Sequence, residues 1–198
     1  MPRKSKSPVS TANLKRSSEV VYPKPTSITY HYGVWQPKFD EILESNFSIK
    51  FVNGLPIELE NKSNDHQLIV IDDLLNESSK SDDLLNLFCR GSHHNNISVI
   101  FITQNFFHKN LRPLTLNSKY LICMRNLRDC SWVNNLGKQL NHGRKYHLLE
   151  SAYGECLKIP FSYFFIDLSN EQENSDCRIR CGFFPENCVV YMCKNKQL

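Results

Sequence analysis

The sequence predicts an α/β fold with a mostly parallel sheet and flanking helices, and three observations carry that prediction. Two short aliphatic runs, Leu68-Ile69-Val70-Ile71 at residues 67–71 and the ISVIFIT run at residues 97–103, do not alternate with polar residues, which marks strands buried on both faces. A segment with helical spacing, residues 82–89, lies between them. Both runs end in polar residues, Asp72-Asp73 and Thr103-Gln104-Asn105, so their ends share one edge of the sheet, where open α/β folds place their ligands.

The elements follow in order. Residues 1–26 are rich in Ser, Lys, Arg and Pro and poor in apolar side chains, and they read as a disordered basic tail that cannot bury enough surface to offset ordering. Residues 27–32 are β-like and end at Gly33, with a turn opened by Trp35-Gln36-Pro37. Residues 38–44 look helical, and residues 49–52 form a short strand closed by Asn53-Gly54. After the strand at 67–71, residues 82–89 place Leu84, Leu85 and Phe88 on one helical face, with Asp82 and Asp83 at the favourable N-terminal end. Strands are expected at 97–103, 119–124 and 163–168, helices at 129–140 and 145–156, and a terminal strand of alternating character at 177–184. Strands separated by helices give the α/β class, with one domain over 27–186 and a C-terminal extension at 187–198.

Composition narrows the function classes. The chain has 198 residues, 40% hydrophobic and 22% charged, ordinary for a domain able to bury a core. Its net charge of +4 is concentrated at the start. Residues 1–25 hold six basic side chains (Arg3, Lys4, Lys6, Lys15, Arg16, Lys24) against Glu19, and the rest is left with 18 basic and 19 acidic residues. Attraction to nucleic acid through bulk charge therefore belongs to the tail. No apolar run approaches the roughly 18 residues of a membrane span, and the N-terminus lacks a signal-peptide core, so an intracellular protein is expected. Irregular spacing of the eight cysteines in a chain of this size argues for reduced thiols.

The chemistry-bearing residues cluster at the two strand ends. Aliphatic residues delivering Asp72 and Asp73 form a Walker B pattern. The first carboxylate can hold Mg²⁺, usually through water, and the second can orient or deprotonate an attacking water. Helix capping is the other use of such residues. Gln104, at the end of the neighbouring strand, suits a hydrogen bond to a γ-phosphate or the lytic water without adding charge. A phosphate-binding loop needs G-x-x-x-x-G-K-[ST], and none of the seven glycines (33, 54, 91, 137, 143, 154, 182) begins or closes that pattern. Arg90 and the Gly91-Ser92-His93-His94 turn join the 82–89 helix to the second strand, where they can face a neighbouring subunit's nucleotide or DNA, or solvent. Zinc is disfavoured: Cys177 and Cys181 on one strand would stand about 13 Å apart, and no C-x₂-C pair exists.

These pieces together resemble a family. The succession YGVWQP (32–37), FVNGLP (51–56), LIVIDDLL (68–75), RGSHHNNISVIFITQNFFH (90–108), LNSKYLICMRNLRD (116–129) and IPFSYFFIDL (159–168) is similar to the packaging-type ATPases of the FtsK/HerA superfamily. The likeness is greatest to those of double-stranded DNA viruses and virus-derived elements, and it covers about residues 28–185. It implies a RecA-like, P-loop NTPase-type core, incomplete at its N-terminus, from a ring oligomer that couples hydrolysis of Mg²⁺-bound ATP to movement of double-stranded DNA into a capsid. Capsid components are then partners, and the location is intracellular or virion-associated. By the same resemblance Asp72 and Asp73 match the Walker B acids, Gln104 the polar residue on the adjacent strand, and Arg90, His93 and His94 a basic loop. The departures are a basic tail where a P-loop strand and helix are expected, Cys89 in place of a hydroxyl residue, and Leu127 in place of proline. The expectation is a packaging-ATPase domain that does not hydrolyse ATP alone. The alternatives are a non-catalytic DNA-binding or assembly protein, and a metal-dependent nuclease using Asp72, Asp73 and Asp167.

Overall fold

The computed structural model describes residues 21–44, 48–56, 65–72, 74, 84, 88, 96–104, 111–126, 130–140, 146–169, 178–182, 184 and 188–192. Contacts divide the chain into two compact units, Met1–Asn117 and Ser118–Leu198.

The first unit carries a four-stranded parallel sheet in the order β2-β1-β3-β4, formed by β1 (Ser27–Tyr32), β2 (Ile49–Asn53), β3 (Gln67–Asp72) and β4 (Ile97–Ile102). Strand β3 is inner, and Leu68 to Ile71 are all buried, as the unbroken aliphatic run requires. Full burial of each such side chain contributes roughly 1.5–3 kcal/mol. Alternation along the strands sends Ile69 and Ile71 to one face, where they meet Leu74, Leu84, Phe88, Ile97, Leu111 and Leu114. Leu68 and Val70 go to the other, with Ile28, Tyr30, Phe39, Ile42 and Ile49.

Helices cover both faces. Helix α1 (Pro37–Glu44) starts with proline at its first turn and buries Phe39 and Ile42, three residues apart on one side. Its entry is tied by Phe39 N–H to Gln36 O at 2.9 Å and by Trp35 Nε1–H to Asp40 Oδ2 at 3.3 Å. On the opposite face α2 (Arg112–Asn117) contributes Leu114. This one-and-a-half-turn helix does not emerge from sequence periodicity because it is too short to show one. It is held by side-chain bonds to its own carbonyls, Thr115 Oγ1 to Arg112 O at 2.9 Å and Asn117 Nδ2 to Pro113 O at 2.8 Å. The expected helix at 82–89 lies mostly outside the described residues, although Leu84 and Phe88 are buried in the core.

The second unit is a four-stranded antiparallel sheet in the order β5-β6-β7-β8, from β5 (Tyr120–Met124), β6 (Tyr163–Asp167), β7 (Ile179–Cys181) and β8 (Val189–Val190). Helices α3 (Ser131–Leu140) and α4 (Tyr146–Lys158) pack on each other, and α4 packs on β6 and β7. Tyr153 is the hinge of that packing: its ring lies edge-on to Trp132 at 5.0 Å and to Phe164 at 5.5 Å, and its hydroxyl donates to Met124 O at 3.3 Å. The opposite sheet face carries Tyr120, Ile122 and Met124, and Arg180 lies 4.9 Å over the Phe165 ring while pairing with Asp167 at 3.2 Å.

The parallel sheet with its helices is the α/β architecture predicted, and it is consistent with a RecA-like core. The antiparallel pairing of the second sheet is additional: a five-residue apolar run has the same appearance in either kind of ladder. The terminal strand expected at 177–184 is limited to the three residues of β7, and β8 adds a further short strand.

Candidate functional site

All four parallel strands of the first unit run in the same direction, so their C-terminal ends form one edge. Asp72 ends β3 there. It is opposite Tyr32 of β1 and Ile102 of β4, and it is only 7% exposed despite its carboxylate. Burying an ionised group costs free energy unless hydrogen bonds replace water. One such bond is present: the Tyr30 hydroxyl donates to Asp72 Oδ2 at 2.7 Å. Tyr30 sits two residues before Tyr32 on β1, on the same sheet face as Asp72, and its ring spans the roughly 7 Å between successive same-face positions.

Beside Asp72 the loops after β1 and β2 are fastened together. Gly54 N–H donates to Tyr32 O at 3.0 Å, and Asn53 Nδ2 donates to Gly33 O at 3.1 Å and Tyr32 O at 3.3 Å. Gly54 adopts φ +86°, a left-handed conformation that a side chain would strain even though the space around it is open. His31 adds a third tie, its Nδ1 bonded to Gly54 O at 2.8 Å. Burial lowers the His31 pKa from its ordinary value, against an opposing effect of the Gly54 carbonyl, and Lys50 lowers it further. The neutral ring with Nδ1–H donating is thereby favoured. At the other end of the sheet the buried His66 bonds Ser98 Oγ through Nε2 at 2.9 Å and Pro23 O through Nδ1, linking the starts of β3 and β4.

Gln104 is exposed and comes two residues after Ile102, the β4 partner of Asp72. The structure thus brings Asp72 and Gln104 to one edge on neighbouring strands. Asp73, Arg90, His93 and His94 lie outside the described residues. Asp167 belongs to the second unit, where Oδ1 accepts Ser169 N–H at 2.9 Å and Ser169 Oγ–H at 2.6 Å, and Oδ2 accepts Arg180. Its carboxylate is committed to local structure, which leaves little for the nuclease alternative. Among the described residues no group of three His, Cys, Asp or Glu side chains is arranged to hold a metal by itself. Asp72 fits Mg²⁺ in a different way, as one carboxylate that shares the ion with substrate phosphates and water. Tyr30 and His31 were not legible as site residues, because only the register of β1 on β3 and β2 brings them to this edge.

A buried carboxylate and a neutral amide thus stand at the C-terminal edge of a parallel, helix-covered sheet, the edge at which open α/β folds bind their ligands. A family model described as "Poxvirus A32 protein" matches residues 41–151, more than half of the chain, and the chain belongs to that family of viral packaging ATPases. The match contains Asp72, Asp73, Arg90, His93, His94 and Gln104. No curated protein and no solved structure matches the chain. No helix among the described residues is long and apolar enough to cross a membrane.

Proposed function

We propose that this chain is the Walker B part of an ATP-driven DNA-packaging domain, and that these 198 residues alone do not turn over ATP. The observation that carries the reading is the buried Asp72 at the end of β3, beside β4 and Gln104, in a chain of the poxvirus A32 family. Asp72 would hold Mg²⁺ by way of water, and Asp73 would orient or deprotonate the attacking water. Gln104 would hydrogen-bond the γ-phosphate or that water. Mg²⁺ supplies neutralisation of phosphate charge when it is bound with ATP. Arg90, His93 and His94 are the candidates for contact with DNA or with a neighbouring subunit in a ring. Double-stranded DNA and capsid components are the partners that this reading implies.

The phosphate-binding end has to come from elsewhere, because no G-x-x-x-x-G-K-[ST] occurs in the 198 residues. Strand β4 supports a place for it: among the described residues β4 is the terminal strand of its sheet, aliphatic or aromatic at five of six positions, without the charges or proline that usually protect an edge. The test is turnover with Mg²⁺-ATP, first by this chain and then with a strand, P-loop and helix appended. The chain alone is expected to be inactive and the extended form to bind nucleotide. Robust hydrolysis by the chain alone, abolished by Asp73→Asn, refutes the negative half of the proposal. The basic N-terminal residues favour one second reading, a non-catalytic DNA-binding or assembly role. It requires binding that weakens steeply with salt and disappears when residues 1–25 are deleted.

A further inference from the structure

We propose that Cys156 and Cys181 form a disulfide that staples helix α4 to strand β7 when the chain meets a small-molecule disulfide such as oxidised glutathione. Both residues belong to the second unit, and in the structure both are thiols.

Helical spacing brings one thiol to the sheet and strand register brings the other. Leu149, Ala152, Tyr153 and Cys156 form a buried stripe on α4, with spacings of three, four and seven from the first. Tyr153 lies edge-on to the Phe164 ring of β6, and Phe164 is the register partner of Cys181 on β7. Cys156, one turn after Tyr153, therefore meets Cys181 on the same sheet face. Both side chains are buried, and their Sγ atoms stand 2.8 Å apart. Even nonbonded carbon atoms, which are smaller than sulfur, rest at roughly 3.5–4.0 Å. An S–S bond measures about 2.05 Å, so a movement of under about 1 Å closes it.

The sheet also selects this pair among the described cysteines. Cys123 on β5 is the other register partner of Phe164, so it stands two strand spacings from Cys181, about 10 Å. A disulfide spans at most roughly 7 Å between Cα atoms. Cys188 Sγ–H is turned to Gly182 O at 3.6 Å, and the exposed Cys130 Sγ–H to Asn126 O at 3.4 Å. Oxidation runs in two exchanges. The thiolate of one cysteine attacks glutathione disulfide, which forms a mixed disulfide and releases one glutathione thiolate; the other cysteine then attacks the protein sulfur of that bond and releases the second. The two thiol protons go to the departing glutathiones, and two electrons pass from the pair to the glutathione disulfide. Burial, and after it the Cys181 contact, pushes the Cys156 thiol up to about 12. The closed pair therefore holds little thiolate, and the first attack takes place when α4 opens locally from the sheet. The bond joins residues 25 apart, enclosing all of β6, and so removes freedom from the unfolded chain.

The experiment refolds the reduced full-length chain from urea into a buffer of oxidised and reduced glutathione. Free thiols are trapped with N-ethylmaleimide, and the disulfide-linked peptides are mapped by mass spectrometry. A Cys156–Cys181 link is expected as the main intramolecular bond of the wild type. The urea midpoint of the oxidised chain, read by Trp132 emission in a Trp35→Phe background, should exceed that of the reduced chain by about 1.5 M. Cys123→Ala is expected to keep both the link and the shift, and Cys156→Ala combined with Cys181→Ala to lose the shift. Wild-type chain at equilibrium in which Cys156 and Cys181 are reduced, carry glutathione or pair with other cysteines overturns the proposal without reference to any variant. So does a midpoint that falls on oxidation, or one that rises equally in the double variant.

Discussion

Phe39 is the side chain on which the aromatic cluster beside the candidate site depends. It is 3% exposed, stacks on Phe51 at 4.8 Å, and meets Tyr30, Trp35 and Tyr32 at 5.2, 5.3 and 5.5 Å. Phe39→Ala removes the ring and leaves a cavity, and core Phe→Ala changes cost 3–5 kcal/mol, so about 4 kcal/mol is expected. Phe39→Leu retains most of the apolar volume and loses ring geometry, for about 1.5 kcal/mol. The chain has two tryptophans, Trp35 and Trp132, so a Trp132→Phe background leaves Trp35, 5.3 Å from the mutated ring, as the fluorescent reporter. Urea unfolding with a slope of about 2 kcal/mol/M should show the midpoint fall by about 2 M for the alanine variant and by under 1 M for leucine. A loss below about 1 kcal/mol for Phe39→Ala would refute the packing argument for α1 on this sheet.

Other measurements test the remaining geometry. Burial pushes the Cys123 and Cys156 thiols up to about 12, whereas Cys130 is exposed. Iodoacetamide at pH 8 should therefore label Cys130 before Cys123 and Cys156, and equal labelling of Cys156 in the folded chain would contradict its burial. The His31 pKa is lowered in the folded state, so below the unfolded value of 6.5 the unfolded chain binds more protons. The associated stability is fully present above about pH 6.5 and is lost as pH falls through the folded value. Urea midpoints between pH 7.5 and 5 should fall further in the wild type than in His31→Gln. Arg180→Met takes the cation from Asp167, which is 3% exposed. Because Arg180 is partly exposed and Ser169 still donates twice to Asp167, the cost is expected to be about 2 kcal/mol, below the full penalty for breaking a buried pair. Adding Asp167→Asn should recover part of that loss, read by Trp132 emission in a Trp35→Phe background, and a further loss would refute the charge argument.

Much of this protein was determined by local sequence. The aliphatic run of β3 dictated a strand covered on both sides, and β-forming residues bounded by turn signals placed β1, β2, β4, β5 and β6 to within about one residue of their observed limits. The placement of Asp72 and Gln104 at neighbouring strand ends was legible because each follows such a run, and position relative to a strand end is a local property. Tertiary structure alone decided the division into a parallel and an antiparallel sheet, since apolar spacing does not record the direction of a strand's partner. It also decided the acid's environment. The Tyr30 hydroxyl reaches Asp72, and His31 reaches Gly54, only because β1 lies between β3 and β2 in one register, and a shift of one residue would turn either side chain to the opposite face. Sequence named the carboxylate; the non-local pairing of strands determined which groups hold it.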